Sequence, residues 1–99
     1  MDRDAVISSL QNYKALLSQH FSIQEMYLFG SYAKGNYHDD SDIDVAVVVD
    51  HLEGGYLDYT PKLWKLRRSI DIRIEPILFE QGKDPSGFLE TIRLNGIRV

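Results

Sequence analysis

Apolar residues near the start of the chain recur at helical spacing: Val6, Leu10, Tyr13 and Leu17, with Ile7 beside the stripe. Asp2 or Asp4 is placed to cap that helix, and Phe21 to Ile23 close it onto a core. Glu25–Phe29 is short, apolar and aromatic, which predicts a strand running straight into Gly30. Ser31 to Gly35 then reads as a turn opening a short helix, and Asn36 to Ser41 as a polar turn. Asp42 to Val49 is the strongest strand. Its end, Val45 to Val49, is apolar on both faces and so belongs in the middle of a sheet.

The second half is less regular. His51 to Tyr59 contains Gly54-Gly55 and reads as a loop, and Thr60-Pro61 as a helix start with Leu63, Leu66 and Ile70 inward. Ser69 to Phe79 alternates, with Ile70, Ile72 and Ile74 opposite Asp71, Arg73 and Glu75, which predicts a strand. Pro76 should end its regular pairing or mark an edge. After a loop at Gln81 to Gly87, Phe88, Ile92 and Leu94 suggest a last helix stopped by Asn95-Gly96, followed by a short tail strand. The order is that of a small α/β layer fold, a mixed sheet with helices packed on it, in one domain over 1–99.

Composition narrows the function. Of 99 residues, 43% are hydrophobic, enough for one core, and the formal net charge is -4. An acidic balance argues against direct nucleic-acid binding, since that affinity comes from Lys and Arg neutralising phosphates. There is no cysteine, which excludes disulfides and thiolate metal sites. No apolar run reaches the roughly 20 residues of a membrane helix, and charges near the N-terminus do not fit a signal peptide. A cytoplasmic location and no membrane partner are expected.

The chemistry concentrates between Gly30 and Val45. Glycine lets a phosphate approach the backbone, the following amides and the Ser31 hydroxyl can donate to it, and Lys34 adds a cation. Asp42 and Asp44 stand two apart on a strand, hence on one face and about 6.6 Å apart along it. Such a pair suits magnesium, which keeps water and substrate phosphate in its other positions. A third carboxylate would complete a two-metal site. Asp71, on the alternating segment, is the first candidate, and Glu75, on the same face, is the alternative. Asp39 and Asp40 read as turn residues. His20, His38 and His51 lack zinc-site spacing. Lys62, Lys65, Arg67 and Arg68 read as a solvated helix face, and Tyr56, Tyr59 and Trp64 as loop anchors or core rather than base-stacking groups.

Gly30-Ser31-Tyr32-Ala33-Lys34-Gly35 followed by Ser41-Asp42-Ile43-Asp44 resembles the signature of the polymerase-beta-type nucleotidyltransferase superfamily, in its minimal nucleotidyltransferase (MNT) branch. The resemblance implies a polymerase-beta-like core, with Gly30 and Ser31 on the phosphates of ATP or another nucleoside triphosphate. It implies Asp42, Asp44 and Asp71 on two Mg2+ ions, and attack of a hydroxyl on the α-phosphate with loss of pyrophosphate. Tyr32 stands where many relatives carry arginine, which leaves Lys34 as the substitute phosphate ligand. The resemblance also implies an antitoxin-like protein that transfers AMP to a small helical HEPN partner. The alternative is a non-catalytic nucleotide-binding or toxin-neutralising subunit. Relatives that modify small molecules or extend nucleic acids carry further domains.

Overall fold

The computed structural model describes residues 2–52 and 54–99, with nothing said of the Tyr56 side chain. Helix α1 (Arg3–Leu17) begins where the Asp2 carboxylate accepts the Ala5 amide at 2.8 Å. Its stripe of Val6, Leu10, Tyr13 and Leu17 is fully buried. Strand β1 (Ile23–Phe29) leads through Gly30 into α2 (Ser31–Lys34), a single turn of helix ended by Gly35 in the left-handed region. Strand β2 (Ile43–Val49), helix α3 (Tyr56–Leu66), a 3-10 turn (Arg67–Ser69), strand β3 (Ile74–Glu80), helix α4 (Phe88–Asn95) and a two-residue β4 (Ile97–Arg98) follow.

The sheet is mixed, in the order β3-β2-β1-β4. β1 runs antiparallel to β2 and to β4, and β2 runs parallel to β3. Met26, Leu28, Ile43, Val45, Val47, Ile74 and Leu78 face α1 and α3 in the larger core. On the opposite face Tyr27, Ala46 and Val48 pack under Leu89 and Ile92 of α4. Side chains alternate along a strand, so Asp44, two residues before Ala46, belongs to the face that α4 covers. Glu75, Ile77 and Phe79 of β3 share that face by their pairing with Asp44, Ala46 and Val48.

Two polar contacts lock the layers. The Tyr13 hydroxyl donates to the Leu63 carbonyl at 2.8 Å, joining α1 to α3 inside the core. Arg93 of α4 donates to Glu25 of β1. α4 is also anchored at its start, where the Asp84 carboxylate accepts the amides of Leu89 (3.1 Å) and Glu90 (3.0 Å).

Two expectations need correction. α3 starts at Tyr56, not Thr60: the Gly55 amide donates to the Asp58 carboxylate at 3.1 Å, which adds a turn ahead of Pro61. The strand expected from Ser69 starts only at Ile74, and Ile72 is exposed. Asp71 causes the delay. Its carboxylate accepts the Arg73 amide at 2.9 Å and its carbonyl accepts the Ile74 amide at 3.1 Å, so a side chain-closed turn replaces ladder bonds. Pro76 is on an edge strand, as expected, but pairing continues through it to Glu80.

Tyr13→Phe removes the hydrogen bond to Leu63 while the Arg67 amide still serves that carbonyl. It should lower stability by about 0.5–1.5 kcal/mol, seen as a lower urea midpoint at unchanged m-value.

Candidate active site

The strand directions bring three segments to one end of the sheet. β1 finishes at Phe29, which pairs with Asp44 near the start of β2. The parallel register places Glu75 of β3 opposite Asp44 on the other side. Gly30 then leaves β1 with φ 74° and ψ -148°, a conformation that L side chains rarely adopt. A Cβ there would sit 2.2 Å from Asp44 Oδ2. Gly30 is therefore required twice, by its backbone angle and because the Asp44 carboxylate lies against it.

Asp42 is exposed and precedes β2 by one residue. The turn that delivers it is closed by Ser41, whose hydroxyl accepts the His38 amide and whose own amide donates to the His38 carbonyl, both at 2.9 Å. Burial first, and then the charges of Glu75 and Asp42, push the Asp44 carboxyl above the ordinary carboxylate range. Asp42, Asp44 and Glu75 thus gather negative charge at one sheet end, with no ion pair to any of them among the described residues. Among the described residues they do not close into a cage of three ligands. Such a set of oxygen donors beside a partly open edge fits a hard divalent cation that keeps water and phosphate in its remaining positions.

Asp71 does not join this group. It lies in the turn ahead of β3, where Arg73 Nε donates to its Oδ1 at 3.1 Å and the terminal nitrogen Nη2 to its Oδ2 at 2.8 Å. Those hydrogen bonds hold its carboxyl below the usual range. Glu75 occupies the position beside Asp44 that the sequence reading gave first to Asp71. The displacement has the same origin as the late start of β3. A strand from Ser69 would have put Asp71 and Glu75 on one face alike, and the Asp71 turn leaves only Glu75 in the ladder.

Ser31 is half-buried at the start of α2, and Lys34 is exposed at its end. Tyr32 is fully buried and stacked on Tyr37 with ring centroids 4.4 Å apart. It belongs to the core, not to a phosphate clamp. A cleft of about 540 Å³ adjoins Gly30 and runs between α2 and α4, with Phe29 and Phe88 among its walls and Lys34 on its α2 side. The sequence carries no signal for this cleft, because it forms only when α4 packs over β1. Tyr59 packs against Phe21, and Trp64 carries the Arg67 guanidinium over its ring at 4.6 Å. The Tyr56 side chain lies outside the described residues.

The two perturbed aspartates have opposite pH signatures. The folded-state pKa of Asp44 lies above its unfolded value, so its contribution to stability is full at low pH and is lost as pH rises through the folded value. That of Asp71 lies below, so its contribution is present above the unfolded value and is lost as pH falls through the folded one. In metal-free protein at neutral pH, Asp44→Asn should therefore melt higher than wild type, and the gap should close on acidification. Each 1 kcal/mol of relief moves the midpoint by about 4–8 °C in a domain this size. Gly30→Ala should lower stability by about 1–3 kcal/mol, read by thermal unfolding, since the backbone or Asp44 must move.

A model of the family described as polymerase beta, nucleotidyltransferase, matches residues 11–98. A protein of Methanocaldococcus jannaschii named "Putative protein adenylyltransferase MJ0141" is 33% identical over 81 residues, covering 78% of this chain and 79% of that protein. Among solved structures, a nucleotidyltransferase-like protein from Sulfolobus solfataricus superposes with a TM-score of 0.60 at 21% identity, over 95% of this chain and 84% of that one. A toxin–antitoxin structure with AMP-PNP gives 0.61 at 23% identity, over 99% and 72%. A mutant of the toxin–antitoxin MntA-HpeT gives 0.59 at 21%, over the same shares. The fold is common to all three. With the family model spanning nearly its whole length and the Gly30, Asp42 and Asp44 signature set at one sheet end, the chain belongs to the polymerase beta nucleotidyltransferase family.

Proposed function

We propose that this protein transfers AMP from ATP to a hydroxyl group on a partner protein, with Mg2+ held by Asp42, Asp44 and Glu75. The observation that carries the reading is the alignment of Asp44 with Glu75 across β2 and β3, with Gly30 against Asp44. Bound Mg2+ would supply positive charge to the α-phosphate region and to the leaving pyrophosphate. The chain's own part is positioning. Gly30 allows close approach of the triphosphate to the backbone, Ser31 supplies a hydroxyl donor, and Lys34 offers a cation to the phosphates from the side of the cleft. Asp44, set between Asp42 and Glu75, is the group assigned to accept the proton of the attacking hydroxyl. Asp71 has a structural role in this reading.

The acceptor is proposed to be protein. The M. jannaschii relative is named a protein adenylyltransferase, and two structural neighbours are described as toxin–antitoxin proteins, one of them with AMP-PNP. These favour an antitoxin-like role toward a partner protein, and ATP as the nucleotide; the partner proposed is a small helical protein of the HEPN kind. Among the described residues no helix is long and apolar enough to cross a membrane.

The test is binding of AMP-PNP by calorimetry with Mg2+ and then with EDTA, together with transfer of label from α-labelled ATP to the co-purified partner. Metal-dependent binding and labelling are expected. Glu75→Gln should lower transfer by more than about 100-fold, since even residues that only support metal ligands cost 10–100-fold. Transfer unchanged in Glu75→Gln would return the third-ligand role to Asp71. Binding without transfer to the partner would favour a nucleotide-binding, toxin-neutralising subunit.

A further inference from the structure

We propose that Arg73 is a positioning residue, which sets the spacing of the two carboxylate-bearing segments from one another and from the Gly30–Ser31 turn. The inference rests on the reading of Asp42, Asp44 and Glu75 as a metal site. Its basis is one guanidinium with partners on three separate stretches of chain. Its Nη1 donates to the Asp39 carbonyl at 2.9 Å and to the Tyr32 hydroxyl at 3.4 Å. Its Nε and Nη2 grip the Asp71 carboxylate from two sides. The Arg73 carbonyl also accepts the Ile43 amide at 2.9 Å, on the residue between Asp42 and Asp44.

Tyr32, Asp39 and Arg73 itself each lie within three residues of a group in the site. Tyr32 is two residues past Gly30, Asp39 three before Asp42, and Arg73 itself two before Glu75. The guanidinium is mostly shielded, with 26% of the Arg73 side chain exposed against 15% for Asp71. Its plane and fixed fork of donors make these contacts at set angles. A lysine ammonium on a flexible stem cannot hold all three in one plane. The need for such a tie comes from charge. Asp42, Asp44 and Glu75 repel one another, and the 36–42 segment that carries Asp42 has no helix or strand of its own. Asp71 orients Arg73, Arg73 holds the 36–42 segment and α2 against the entry to β3, and the carboxylates keep their separation without a cation.

The test is Mn2+ binding in the presence of AMP-PNP, followed by electron paramagnetic resonance well below the melting temperature, on wild type, Arg73→Gln, Arg73→Lys and Asp71→Asn. Arg73→Gln should weaken Mn2+ about 10–100-fold, the range for residues that orient metal ligands, and Arg73→Lys should recover little of it. Tyr13→Phe is the control. It is destabilised at the α1–α3 contact, has no contact with the site, and should bind Mn2+ as wild type does. Should Arg73→Gln fail to fold, Asp71→Asn keeps the guanidinium and loses only its charged anchor, and a loss of roughly tenfold is expected. Wild-type affinity in Arg73→Gln, or in Asp71→Asn where that variant decides, overturns the positioning role alone. Equal losses in Tyr13→Phe and Arg73→Gln also overturn it, because general loosening then explains both. Wild type that takes up no Mn2+ overturns the metal site itself and this inference with it.

Discussion

Strand β2 is the constraint on which the rest depends. From Val45 to Val49 every residue is buried, with strands on both edges and helices over both faces. A strand covered in this way cannot slip, because a one-residue shift would carry Asp44 into the core and a valine out of it. Its direction does the rest. β1 arrives antiparallel and β3 leaves parallel, so the end of β1 and the beginnings of β2 and β3 meet at one end of the sheet. Residues 30, 44 and 75, far apart in sequence, become neighbours through strand direction alone.

The electrostatics at that end run against folding. Asp44 is partly desolvated beside two like charges and would hold its proton longer than a free aspartate. Nearby, Asp71 and Arg73 form the reverse case, a carboxylate kept ionised by a guanidinium that grips both of its oxygens. The two aspartates therefore differ in kind. One is a strained group whose charge a cation can relieve. The other is satisfied and has little left to offer a ligand. This contrast, more than position in the sequence, is why the proposed metal site takes Asp44 and leaves Asp71 out.

The helices sort into two roles. α1 and α3 close the core on one face, joined by Tyr13 and Leu63. α4 covers only part of the other face and leaves the carboxylate end and the cleft beside Gly30 accessible. The fold by itself says little about the acceptor.

Much of this was written in the sequence. The helical stripe of α1, the doubly apolar β2, the glycine required at position 30 and the Asp42/Asp44 pair depend on local spacing, and local spacing is what a sequence displays. The third carboxylate was different. Asp71 and Glu75 alternate alike, and choosing between them needs the point at which β3 joins the sheet. That point is fixed by an Asp71 turn that outcompetes strand pairing, and by an arginine whose partners lie 34 and 41 residues away. The extra turn of α3 and the cleft under α4 were hidden for the same reason. The sequence by itself determined the order of the elements and the Gly30, Asp42 and Asp44 motif that marks the family; tertiary packing decided which carboxylate stands beside Asp44, because register between distant strands is a property of contacts and not of spacing.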